Sequence, residues 1–146
     1  MDQTVGAGHW PKTFIIGGMG ALSWRGHAQE FFDAATVLLN AINRNEVEDY
    51  RLANPALYLY RHSLELLLKD ILKEEIDAKK LHTHDLVMLA QKLETYVQER
   101  YRSALPRWIA ERLVELGSFD PRSTAFRYGE NYDKRARRHM PVGGEV

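Results

Sequence analysis

Cysteine is absent from this chain of 146 residues. That excludes disulfide staples, thiolate nucleophiles and Cys-ligated zinc, and it gives no support to secretion. An excess of one charge is also lacking. The 20 Lys and Arg balance the 20 Asp and Glu, so no global positive field draws the protein onto nucleic acid or an anionic membrane, and any such binding must be local. Long apolar runs are missing too. Phe14-Ile15-Ile16 is broken by Gly17, Gly18 and Gly20, too short for a membrane span and without the basic start of a signal peptide. A cytoplasmic location without membrane attachment is the expectation. Strand-type alternation of useful length is absent, so no sheet is expected.

What the sequence does contain is helical periodicity and enough apolar residues, 45%, for the core of one domain. Residues 1–21 read as an N-terminal arm, 22–140 as a helical bundle and 141–146 as a frayed tail. From Leu22 to Asn45, the residues Trp24, His27, Phe31, Ala34 or Ala35, Leu38 and Ile42 recur at steps of three and four, the signature of an amphipathic helix. Asn54 and Pro55 suit the cap and first position of a second helix running to Asp77. Its stripe would be Leu57, Tyr60, Leu64, Leu67, Leu68 and Ile71. Leu59 and Leu66 project from the other side, which predicts a sandwiched helix near a dimer interface.

A third helix is expected from His84-Asp85, burying Leu86, Leu89, Leu93, Val97 and Tyr101. A fourth is expected from Pro106, burying Ile109, Leu113 and Leu116 and stopping at Gly117. The fold class is therefore all-α, an antiparallel bundle of four to five helices.

Four clusters could carry chemistry. Arg61, Glu65 and Lys69 are spaced by four and line up on one helix. They form either a structural ion-pair ladder at a helix edge or a phosphate grip in which Glu65 orients the two cations. His82-Thr83-His84-Asp85 stands at a helix start, where capping competes with anion binding. Its histidines lack the further ligands a zinc shell would need, so no metal is expected.

The segment from Asp120 to Gly129 mixes donors, aromatics and turn residues. Arg127 and Tyr128 there either join a ligand site or close the bundle, with Arg127 satisfying a carboxylate such as Glu65. Lys134-Arg135-Ala136-Arg137-Arg138-His139 is a local basic patch, either solvated tail charge or a contact for phosphates. Gly17-Gly18-Met19-Gly20 follows no strand and lacks a phosphate-loop lysine.

Three motifs in order, Arg61-His62-x-x-Glu65-Leu66-x-x-Lys69, His82-x-His84-Asp85-Leu86 and Phe126-Arg127-Tyr128, give the stretch from Leu22 to Tyr128 a pattern that resembles bacterial HEPN-like helical proteins. The resemblance implies a helical bundle, usually dimeric, in a family that includes nucleotide-binding modules, RNA-cleaving toxins, defence proteins and partners of small nucleotidyltransferases. The ribonuclease members carry an Arg, four to six residues and then a His. Counting back from His139 reaches Lys134, Asp133 or Tyr132 instead, and no other histidine has the upstream Arg.

The expectation is a homodimeric, cofactor-free module that binds a nucleotide or RNA phosphate through Arg61, Glu65, Lys69, His84, Asp85, Arg127 and Tyr128. Its setting would be a stress or phage-defence system, with an operon-encoded protein as a further partner. Two alternatives stay open: a divergent metal-independent ribonuclease using His84 or His139, and a structural dimerisation or adaptor domain.

Overall fold

The structure, a computed structural model, describes residues 23–120, 123–128, 130–133 and 138–141, those from 127 onward by backbone alone. Helix α1, Trp24–Asn43, starts where Ser23 Oγ accepts from the Gly26 amide at 3.0 Å, the usual way to satisfy an orphan N–H. It ends in a left-handed turn at Asn45, with Asn45 N–H bonding Ile42 O and Glu46 N–H bonding Ala41 O. These two bonds satisfy the last carbonyls and reverse the chain.

Helix α2, Asp49–Leu72, returns antiparallel along α1. Small residues let the two backbones approach: Ala28 and Ala35 on α1 and Ala56 on α2 are buried, and Ser63 Oγ donates to the Ala28 carbonyl at 2.6 Å. Arg25 pairs with Asp70 at 3.0 Å at one end, and Thr36 meets Tyr60 at 3.1 Å further along.

The second helix begins at Asp49, well before Pro55. A proline at that depth costs one intrahelical bond, from its missing N–H to the Arg51 carbonyl. Burial of Ala56 and partial burial of Leu52 and Ala53 keep that first stretch helical. The helix also stops at Leu72 instead of Asp77; a 3₁₀ turn, Ala78–Leu81, follows, capped by Asp77 Oδ1 accepting from the Lys79 amide at 2.8 Å.

Helix α3 spans Leu86–Tyr101 and α4 spans Arg107–Phe119. Asp85 lies outside α3 as its cap, accepting from the Met88 amide at 3.0 Å. The core gathers Leu68 and Leu72 of α2, Leu81 of the 3₁₀ turn, Leu86, Leu89, Ala90 and Leu93 of α3, and Leu113 of α4. Tyr101, expected inside, is exposed because α3 ends there in a left-handed turn at Arg102.

Gly117, expected as a stop, lies inside α4 and is buried. A Cβ there would sit 2.9 Å from Val87 Cγ2 and 3.2 Å from Leu86 Cβ and the Val87 nitrogen. The glycine lets α4 touch α3 backbone to backbone. Gly117→Ala should therefore lose stability: the helix-propensity gain of about 1 kcal/mol is outweighed by overpacking, for a net loss of roughly 1–2 kcal/mol in a urea titration.

A short helix, α5, Ala125–Tyr128, completes the all-α bundle and contacts α2. The expectation of no sheet needs one correction. A small antiparallel hairpin pairs β1, Glu130–Asp133, with β2, Arg138–Pro141. Strands of four residues are too short to show alternation in the sequence. The basic run is thus split between β2, which holds Arg138 and His139, and residues 134–137, which lie outside the described residues. Pro141 belongs to β2 rather than to a frayed tail; the remainder of that tail and the N-terminal arm lie outside the described residues as well.

Candidate functional site

On α2 the residues Arg61, Glu65, Leu68 and Leu72 follow one another at helical spacing, and all four are buried. The charged ladder therefore lies on the innermost line of the helix, continuous with the leucine core, and not at its edge. The stripe expected from hydropathy is displaced around the helix: Leu57 and Leu67 face solvent, while Tyr60, Leu64 and Ile71 are half-buried. Only Leu68 belongs to both. Hydropathy alone assigns charges to the outside, and it misjudges a helix whose charges are neutralised by one another.

Arg61 is 0% exposed. Its Nη1 donates to Glu65 Oε2 at 3.3 Å and its Nη2 to the backbone carbonyl of His84. Its Nε stands 3.8 Å from Asp120 Oδ2, and neither of those two buried atoms has a hydrogen bond among the described residues. The other oxygen of Asp120 accepts from the Thr124 and Ala125 amides at 2.6 and 2.8 Å. Asp120 so caps α5 while facing Arg61, and it stabilises the turn in which Ser123 takes a positive φ of 57°. The guanidinium thus joins α2, the start of α3 and the approach to α5. A guanidinium so enclosed has no route to a phosphate, so the grip expected of Arg61 does not fit its position.

The outer half of the cluster differs. Glu65 Oε1 accepts from Lys69 Nζ at 2.7 Å and lies 3.0 Å from His84 Nδ1. Burial alone would raise the Glu65 carboxyl, but the hydrogen bond and charge of Lys69, joined by His84, hold it below the usual carboxylate value. Glu65 is ionised at neutral pH. The His84 side chain is 65% exposed above a carboxylate that is 1% exposed, so the ring is anchored inside and open outside. With Nδ1 held by Glu65, Nε2 is the nitrogen left for a ligand or a proton. A buried carboxylate in this position sets the ring's orientation.

Beneath them, His62 stacks on Tyr58 with centroids 5.8 Å apart and meets the edge of Phe31 at 4.6 Å. Burial pushes its pKa down, with the Glu65 charge opposing.

The fold therefore brings together Arg61, Glu65, Lys69 and His84, from two of the three motifs. Asp85 is adjacent, but one of its oxygens caps α3. Arg127 and Tyr128 lie in α5, which packs near α2, and His139 lies in β2; their side chains are outside the described residues. His82 is exposed and apart from the cluster. The sequence places Asp120 at the head of a candidate segment but does not foresee that it faces Arg61. Its one signal is an acidic residue between a helix end and Pro121, which reads more readily as a turn former.

Among the described residues, no group of three or more His, Asp or Glu side chains could hold a metal ion, and no helix is long and apolar enough to cross a membrane. No protein-family model, curated protein or solved structure matches this chain.

Proposed function

We propose that this chain is a HEPN-like helical module that binds the phosphate of a nucleotide or RNA at His84, beside the largely buried Lys69 that is paired with Glu65, as a homodimer in a bacterial stress or phage-defence system. The observation that carries the reading is the anchored imidazole: exposed at the surface, held through Nδ1 on the buried, ionised Glu65, with Lys69 on the same carboxylate oxygen. A ring so held is ready to donate from Nε2 to an anion when protonated, and the start of α3 beside it adds the positive end of a helix dipole. Arg61 and Asp120 serve this reading from behind, by fixing the His84 carbonyl and the segment that leads into α5. The dimer is supported by an apolar groove in which Trp108 and Phe119 lie exposed beside Leu57 and Leu116.

The same imidazole favours a second reading, a metal-independent ribonuclease in which His84 takes the proton of a 2′-hydroxyl. The chain lacks the Arg and His spacing of the family's nucleases, which places binding first.

The test compares wild type with His84→Asn in thermal unfolding against nucleotides and short RNAs, with and without EDTA. Asparagine keeps a donor where Nδ1 meets Glu65 and removes Nε2. Melting without ligand should be nearly unchanged. Affinity should fall roughly tenfold to a hundredfold, the value of one hydrogen bond to a charged group. RNA cleavage in EDTA that disappears in His84→Asn would move the assignment to the ribonuclease. No shift with any ligand in the wild type would leave the cluster a structural device and the protein an adaptor.

A further inference from the structure

Helix α2 presents three lines of side chains. Arg61, Leu68 and Leu72 face the core, and Ala56 and Ser63 face α1. Between these runs a third line, Tyr58, His62 and Lys69, at steps of four and seven, with Glu65 at its border with the core. Leu57 and Leu64 lie on the opposite flank, in the groove against α4. The flank that carries Lys69 therefore continues, toward the start of α2, as two flat rings.

These rings are already ordered with respect to each other. The planes of Tyr58 and His62 are 6° from parallel with centroids 5.8 Å apart, and Phe31 of α1 braces His62 edge-on at 4.6 Å. All three residues are half-buried. The leucine cluster is built without them, and the close approach of α1 to α2 runs through Ala28, Ala35, Ala56 and Ser63. The two helices hold the rings in register without using them as the seam.

Burial lowers the pKa of His62, and the nearby charges of Glu65, Lys69 and His84 also act on it. At neutral pH its ring is uncharged, a flat surface and not a further cation. Tyr58 precedes Glu65 by seven residues, about 10 Å of helix, so the rings and the anchored imidazole of His84 fall within the reach of one nucleotide. Flat rings beside an anion contact are the two parts from which sites for unpaired nucleotides are built, stacking for the base and charge for the phosphate.

We propose that Tyr58 and His62 form the base-stacking half of the site, so that a nucleobase lies flat on these rings while its phosphate meets His84. The proposal rests on the phosphate reading of His84 and narrows the ligand to a nucleoside phosphate, of any base, because every base has a π face to stack. A sugar phosphate or inorganic phosphate would fill only half of the site.

The test is isothermal titration calorimetry with adenosine 5′-monophosphate and with ribose 5-phosphate, two ligands that differ by the base alone. The wild type should bind the nucleotide about five- to a hundredfold more tightly, the worth of one stacked base. Tyr58→Leu, which keeps apolar bulk and removes the flat face, should lose most of that preference while ribose 5-phosphate binds as before; Tyr58→Phe should keep it. His84→Asn should weaken both ligands alike and leave the preference. Ribose 5-phosphate binding reports that the Leu variant is folded, and His62→Leu replaces it should it fold poorly.

Equal affinity of the wild type for the two ligands would overturn the stacking proposal and leave the phosphate reading standing. A preference that survives both Tyr58→Leu and His62→Leu would overturn it as well, since the base then lies elsewhere. A wild type that binds neither ligand would overturn both readings.

Discussion

Arg61→Ala is expected to destabilise the fold by about 3–5 kcal/mol, because removing one partner of a buried ion pair leaves the others uncompensated. The guanidinium faces two carboxylates with essentially no solvent access, Glu65 and Asp120. Glu65 would keep Lys69 and His84, so most of the loss falls on Asp120, which would retain two backbone amides but lose the cation it faces. The His84 carbonyl would also lose its donor.

A loss of this size is a large part of the roughly 5–15 kcal/mol typical of a domain, and it would be read from the urea midpoint at constant slope. Adding Asp120→Asn should cost less in the Arg61→Ala background than in the wild type, since the charge it removes is already stranded. A change under about 1 kcal/mol in Arg61→Ala would contradict the buried network itself, since exposed ion pairs have that worth. This prediction also separates Arg61 from His84: Arg61→Ala should destabilise the fold, whereas His84→Asn, at a side chain that is 65% exposed, should leave it nearly unchanged.

Leu72→Ala is expected to cost about 3–5 kcal/mol, the upper part of the range for large-to-small changes at buried leucines. Leu72 is wholly buried and belongs to the cluster that joins α2 to Leu81 of the 3₁₀ turn and to helix α3. The members of that cluster sit on different elements, so they cannot collapse together into the space left behind. Leu67→Ala is the contrast. Leu67 lies on the open side of the same helix and is 36% exposed. Its truncation should cost less than about 1.5 kcal/mol, since little area is returned to water and no closed cavity forms. Similar losses at Leu67 and Leu72 in the same urea titration would mean that the open side of the bundle is as tightly packed as its core.

Much of the architecture was legible in the amino-acid pattern. The helical steps of Trp24 to Ile42 and of Leu86 to Val97 are long and regular, and α1 and α3 lie within a few residues of where the pattern puts them. Boundaries were less legible where a local signal met tertiary packing. Pro55 and Gly117 are strong punctuation in isolation, yet both lie inside helices. At Pro55 a buried face outweighs one lost hydrogen bond; at Gly117 the missing side chain is what the contact with α3 requires.

The candidate site divides in the same way. The spacing of Arg61, Glu65 and Lys69 already placed three alternating charges along one line of a helix, because side chains four residues apart meet whatever the rest of the chain does. The sequence by itself therefore determined the helical class, the ladder and the balance of charge. Only the tertiary structure decided that the ladder faces inward, that His84 completes it from another element and that Asp120 closes it behind Arg61. His84 stands 19 positions from Glu65 along the chain, and Asp120 is further still from Arg61. Burial depends on what packs across a helix, which no periodicity within that helix can specify.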